Sequence, residues 1–150
     1  MSGNGQPSWG CAVQRTPGLM LHAALRVLAR GDLVPLPLPA CNGDAWSWIR
    51  RIAECLRDGR CRSAVVFCDE PALACCVANK VAGVRALAVS DLAQARRAVR
   101  RWGANLLAAD MNGCTYFEFK ELLHLASGGP VLCPPEVAGV LRELDSHAHR

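Results

Sequence analysis

FCDEPALACCVANKVAGVRALAVSD, residues 67–91, is the stretch whose reading decides the fold. Its first residue ends the run SAVVF at 63–67, a short unbroken β-branched segment of the kind found in central parallel strands covered on both faces. Cys68 closes that strand, and Pro71 opens a helix predicted over 71–81 with Asn79 and Lys80 at its end and Gly83 as its stop. A second buried strand over 84–89 follows, and Ser90 or Asp91 caps the next helix. A cysteine between strand and helix lies at the carboxyl edge of a parallel sheet, where such sheets hold ligands. It also lies near a helix N-terminus, where the dipole and free N–H groups favour thiolate.

Outward from that stretch the chain keeps alternating. Residues 11–14 read as a short first strand and residues 1–10 as a flexible tail. Pro17 and Gly18 lead into a helix over 19–29 closed by Gly31. Residues 33–38 have the strand period with proline at every second position, the mark of an edge strand. Asp44 is expected to cap a helix with Trp46, Ile49, Ala53 and Leu56 on its apolar side, ended by Gly59. The helix after Asp91 turns Leu92, Ala95, Val99 and Trp102 inward and Arg96, Arg97, Arg100 and Arg101 outward. Residues 105–109 form the fifth strand, followed by helices over 115–126 and 135–144, the last with Val137, Val140, Leu141 and Leu144 as its apolar stripe. The pattern predicts one α/β domain over residues 1–150. Its architecture is a three-layer α/β/α sandwich around a five-stranded parallel sheet, Rossmann-like and doubly wound.

Composition sets the outer limits. A chain of 150 residues with 51% apolar and 20% charged residues is large enough to bury a core and is neither disordered nor fibrous. The net charge is +4 and 15 of the 17 basic residues are arginine, which suits a modest anion or an acidic partner and is too mild and scattered for nucleic acid. Residues 19–40, the most apolar stretch, are broken by Arg26, Arg30, Asp32 and three prolines, so no membrane span is expected. The opening MSGNGQPSWG lacks a basic region followed by an apolar one, so no secretory signal is expected either. Nine cysteines without a C-x-x-C read as reduced thiols packed as small hydrophobes in a cytoplasmic protein. No metal and no cofactor are expected; His147-Ala148-His149 reads as a polar tail.

In residues 63–125 the chain resembles the ribose-5-phosphate isomerase B family, which includes the galactose-6-phosphate isomerase subunits. Members carry a strand, a Cys-Gly-Thr-Gly-Ile-Gly loop and a helix ending in Ala-Asn-Lys. A Gly-Ile-Arg-Ala strand, a Ser-Asp, and a His-Asn-x-Ala-Asn leading into another strand come after. Here Cys68, Asn79-Lys80, Gly83-Val84-Arg85-Ala86, Ser90-Asp91 and Ala104-Asn105-Leu106-Leu107 stand in register. The resemblance implies an isomerase that moves a proton between C1 and C2 of an opened sugar phosphate. The cysteine would be the base, the loop amides would steady the oxyanion, and the site would form between subunits. The chain departs from that pattern at most working positions. Asp69-Glu70-Pro71 replaces Gly-Thr-Gly, and Pro71 has no N–H to donate. Arg101 and Trp102 stand where the ring-opening histidine and its asparagine partner fall, and Ala74 where some members carry a glutamate base. Arg15, Thr16, Pro17 and Gly18 stand near the sugar-holding Asp-His-Ala-Gly, and residues 130–134 contain no phosphate-binding arginine.

These residues give the candidate site. Cys68, Asp69 and Glu70 are the catalytic candidates; Asp69 and Glu70 read equally well as acids complementing a helix N-terminus. Arg15, Thr16, Asn79, Arg101 and Trp102 are the ligand-binding candidates, with Asn79 also readable as a helix end and Trp102 as core or subunit interface. Three functions remain open: an acid–base enzyme on a small sugar-like or polyol ligand without the usual phosphate, a non-catalytic subunit that pairs with a partner, and an ordinary ribose-5-phosphate isomerase. A homodimer, or a hetero-oligomer with a related subunit, is expected in each case.

Overall fold

The structure is a computed structural model that describes residues 9–31, 35–41, 43, 46–129 and 133–148. In chain order it runs β1 (Trp9–Val13), α1 (Leu19–Ala29), β2 (Leu36–Pro37), α2 (Ser47–Arg57), β3 (Ser63–Cys68) and α3 (Pro71–Ala78). It continues with β4 (Ala86–Ala88), α4 (Leu92–Arg100), β5 (Leu106–Asp110), α5 (Tyr116–Gly128) and α6 (Pro135–Ala148). The sheet order is β2-β1-β3-β5-β4 and every pairing is parallel.

All six residues of β3 are buried, because the strand is central and covered on both faces. Side chains alternate across a strand, and here they feed two separate cores. Val65 and Phe67 enter one, with Leu21, Ala24 and Leu28 of α1, Ala95, Ala98 and Val99 of α4, and Phe119, Leu122 and Leu123 of α5. Ala64, Val66 and Cys68 enter the other, with Trp48, Ile49, Ile52 and Ala53 of α2 and Ala74, Cys75 and Ala78 of α3. Sheet and helices thus form the expected three layers. Phe67 meets Phe119 edge to face, with ring centroids 5.4 Å apart at 76°, a geometry worth about 0.5–1.5 kcal/mol beyond its buried area.

Several expectations need correction. Residues 9 and 10, read as tail, belong to β1: Trp9 is buried and pairs with Ser63, and Gly10 pairs with Leu36. Residues 1–8 lie outside the described residues, as do Asp44 and residues 33 and 34 of the expected strand over 33–38, of which Leu36–Pro37 is observed as β2. In α2 the fully buried tryptophan is Trp48, whereas Trp46, at its N-terminal cap, is only half-buried; among the described residues the indole N–H of Trp48 has no hydrogen-bond partner. Trp102 does not turn into the core. It lies beyond the end of α4, 44% exposed, with the Arg97 guanidinium 5.9 Å from its ring centroid, and Ala98 takes the inward position instead. The apolar stripe of α6 stays uncovered, with Val137, Val140 and Leu144 all exposed.

The turn into β4 is held by two asparagine side chains. Asn79 Oδ1 accepts from the Ala86 N–H at 2.7 Å, and its Nδ2 donates to the Ala86 carbonyl at 2.9 Å. Asn105, buried beneath the same turn, accepts from the Arg85 N–H at 2.7 Å and donates to the Gly83 carbonyl at 3.0 Å. Gly83 sits at φ 82°, a left-handed conformation that favours glycine. Replacing Asn105 with alanine removes two part-buried hydrogen bonds to the backbone and is expected to lower stability by about 1–3 kcal/mol. The matching change at the more exposed Asn79 should do less, and Phe67→Ala should lower it by about 3–5 kcal/mol; urea unfolding of the three variants checks the order.

Candidate functional site

Residues at the carboxyl ends of β1, β3 and β5 converge, because adjacent parallel strands end at one edge. Cys68 and Asp110 are register partners at the last rung of β3 and β5. Cys68 is 0% exposed and packs within the α2–α3 core, so it does not border an open hollow as a catalytic base would. Burial pushes its thiol up to about 11. The Glu70 backbone N–H pulls the other way, and the Asp69, Asp110 and Glu70 carboxylates add to the rise. Near neutral pH the sulfur therefore keeps its proton, and the expectation of a helix-activated thiolate is corrected.

Asp69 and Glu70 follow at once. Neither side chain caps α3, whose N-terminus at Glu70 has no side-chain cap. The Asp69 carboxylate forms an ion pair with Arg15, and its backbone N–H donates to Gln14 Oε1 at 2.8 Å. Gln14 N–H in turn donates to the Phe67 carbonyl at 2.9 Å. Arg15 also reaches the sulfur of buried Met111 at 3.4 Å, and Met111 N–H donates to the Cys68 carbonyl at 3.2 Å. Thr16 sits exposed in the turn after Arg15. The structure thus brings Arg15, Thr16, Cys68, Asp69 and Glu70 to one edge.

The other three candidates lie elsewhere. Asn79 spends its amide on Ala86 at the start of β4, the opposite edge of the sheet. Arg101 caps the C-terminus of α4 and Trp102 follows it; since α4 runs back from the end of β4 to the start of β5, both stand at that opposite edge too. Within one chain, Asn79, Arg101 and Trp102 do not join Cys68.

Beside the Cys68 loop opens a cleft of ≈ 380 Å³, lined in part by Pro71, Ala72, Ser90, Gln94, Asp110 and Cys114. Its floor is the end of β4 and β5, and among the described residues no cation lines it. Asp91 caps α4 by accepting from the Gln94 N–H at 2.7 Å, while Gln94 Oε1 accepts from the Ser90 N–H at 2.8 Å and so fixes this wall. The Asp110 carboxylate accepts from the Asn112 N–H at 2.8 Å. Sequence reading missed Gln14 and Asp110. Asp110 carries the same signal as Cys68, a polar residue ending an apolar strand run, and was findable by it. Among the described residues, no cluster of three or more His, Cys, Asp and Glu is placed to hold a metal ion, and no helix is long and apolar enough to cross a membrane.

Comparison with known proteins adds the following. A family model described as ribose/galactose isomerase matches residues 44–121, more than half of the chain. No curated protein matches. Among solved structures, the type B ribose 5-phosphate isomerase of Trypanosoma cruzi is similar with a TM-score of 0.72 at 18% identity, covering 95% of this chain and 98% of that one. The ribose 5-phosphate isomerase of Thermotoga maritima gives 0.71 at 14% identity, with 93% and 98% covered. That of Mycoplasma genitalium, solved with bound ribulose 5-phosphate, gives 0.67 at 17%, with 95% and 97% covered.

The raised thiol of Cys68 has a direct readout. Alkylation at about pH 8, mapped by mass spectrometry, is expected to label exposed Cys76 first and Cys68 far more slowly, because burial shields the Cys68 sulfur and pushes its thiol up to about 11. Equal labelling of the two in the folded protein contradicts the burial of Cys68.

Proposed function

The chain belongs to the ribose/galactose isomerase family, and on that basis we propose that it acts on a small sugar-like or polyol ligand lacking a phosphate, by carboxylate rather than thiolate chemistry. Family and fold together point to a sugar-phosphate isomerase. The observation that carries the finer reading is the cleft itself: it opens beside Pro71 and Ala72, has the Asp110 carboxylate in its wall and, among the described residues, has no cation in its lining. A phosphate there would face Asp110 with Asp69 and Glu70 nearby, and Pro71 offers no N–H in compensation.

An aldose–ketose interconversion needs a base that takes a proton from the carbon beside the carbonyl and returns it to the neighbouring carbon. No external oxidant or reductant is involved: one proton moves from C2 to C1 and the hydroxyl proton moves from O2 to O1, through an enediolate. Asp110 is the carboxylate placed for this at the cleft, whereas Asp69 is engaged by Arg15. Ser90 and Gln94 supply hydroxyl and amide groups for a polyol's oxygens. Cys68 becomes packing beneath the site.

A second reading, a non-catalytic subunit, is favoured by the uncovered stripe Val137, Val140 and Leu144 on α6, a surface that suits a related partner chain. The cytoplasm fits a chain with many free cysteines under either reading.

The test is turnover. D-Ribose and D-galactose are assayed for ketose formation alongside ribose 5-phosphate, which is expected to give no product above background. Asp110→Asn is expected to lower turnover of the neutral sugar about 10²–10⁴-fold, and Cys68→Ser to leave it within about threefold, as replacement of a buried, protonated thiol should. Loss of activity in a folded Cys68→Ser protein overturns the carboxylate reading. Absence of ketose from every sugar, with co-elution of a related chain, favours the non-catalytic one.

A further inference from the structure

The strand order reverses between β1 and β3: the chain leaves β1 toward β2 on one side and leaves β3 toward β4 on the other. Open parallel sheets hold ligands in the crevice outside the carboxyl ends at such a reversal. In this protein the crevice is spanned by the Arg15–Asp69 ion pair. We propose that Asp69 is a built-in counter-ligand for Arg15, a specificity-determining residue that occupies the guanidinium where an anionic ligand would otherwise dock. The inference rests on the reading that ligands enter at this edge, and it gives a cause for the exclusion of phosphorylated ones.

The pair is not needed to hold the loops together. Gln14 already joins the two strand ends, through its side-chain oxygen on the Asp69 N–H and its backbone N–H on the Phe67 carbonyl. The backbone bond from Met111 to Cys68 ties in β5. Both side chains of the ion pair are about half exposed, 47% and 48%, so solvent screens it and it adds little to stability. Its consequence is chemical. A guanidinium presents the same fork of donors to a carboxylate as to a phosphate. Asp69 takes one nitrogen of that fork, so an incoming phosphate must displace it or sit beside its charge. The sulfur of buried Met111 accepts weakly from the same guanidinium nitrogen at 3.4 Å.

Inorganic phosphate is the probe, titrated calorimetrically at low ionic strength into the wild-type protein, Asp69→Asn, Asp69→Ser and the double variant Asp69→Asn/Arg15→Met, with a thermal melt of each. Both single variants are expected to bind phosphate at least about tenfold more tightly than wild type, the gain of removing one adjacent negative charge. The double variant should fall back to the wild-type level. No gain in either folded single variant, equal binding by the double variant, or tight binding by the wild type overturns the inference. A missing gain leaves the neutral-sugar reading standing, and absent sugar turnover leaves the phosphate result intact, so the two fail separately.

Discussion

Everything in the structure depends on β3 being buried on both faces. A strand whose alternate residues enter two different cores cannot slip by one position without turning Val65 and Phe67 into the space that Ala64 and Val66 fill. That constraint fixes its register with β1 and β5 and sets where the strand ends, at Cys68. The edge formed by the ends of β1, β3 and β5 is therefore inherited from packing. The chemistry placed on it is decided by loops that packing leaves free.

Those loops set the electrostatics of the edge. In this protein Cys68 has sunk into the second core, where desolvation outweighs the nearby backbone donor, while carboxylates gather above it at Asp69, Glu70 and Asp110. Each carboxylate makes the thiol harder to ionise. Burial and the neighbouring acids thus act in the same direction on the one thiol, burial the more strongly.

The layers, the parallel sheet and most helices were legible in the sequence because each signal is local: the run SAVVF, the glycine stops, the apolar spacing of α2. What was not legible depends on contacts distant in sequence. Trp9 is read as tail until its partner Ser63 is known. Cys68 looks like a site residue because a strand end is the same in sequence whether its side chain faces a cleft or a core. The Arg15–Asp69 pair links positions 54 apart, and no periodicity reports that. Trp102 fitted the inward spacing of α4, but the helix ends at Arg100, and beyond its end the spacing no longer governs direction.

The Asn79 bracket has one further consequence. β4 is an outer strand, and the groups that Ala86 turns away from β5 are those its neighbour's amide takes up. At the far side, β2 is two residues long and one of them is proline, which has no hydrogen to offer. Both flanks of the sheet are thereby blunted against annealing with a strand from another molecule. A protein with half its residues apolar gains from this a safeguard against fibrous self-association that is independent of any ligand.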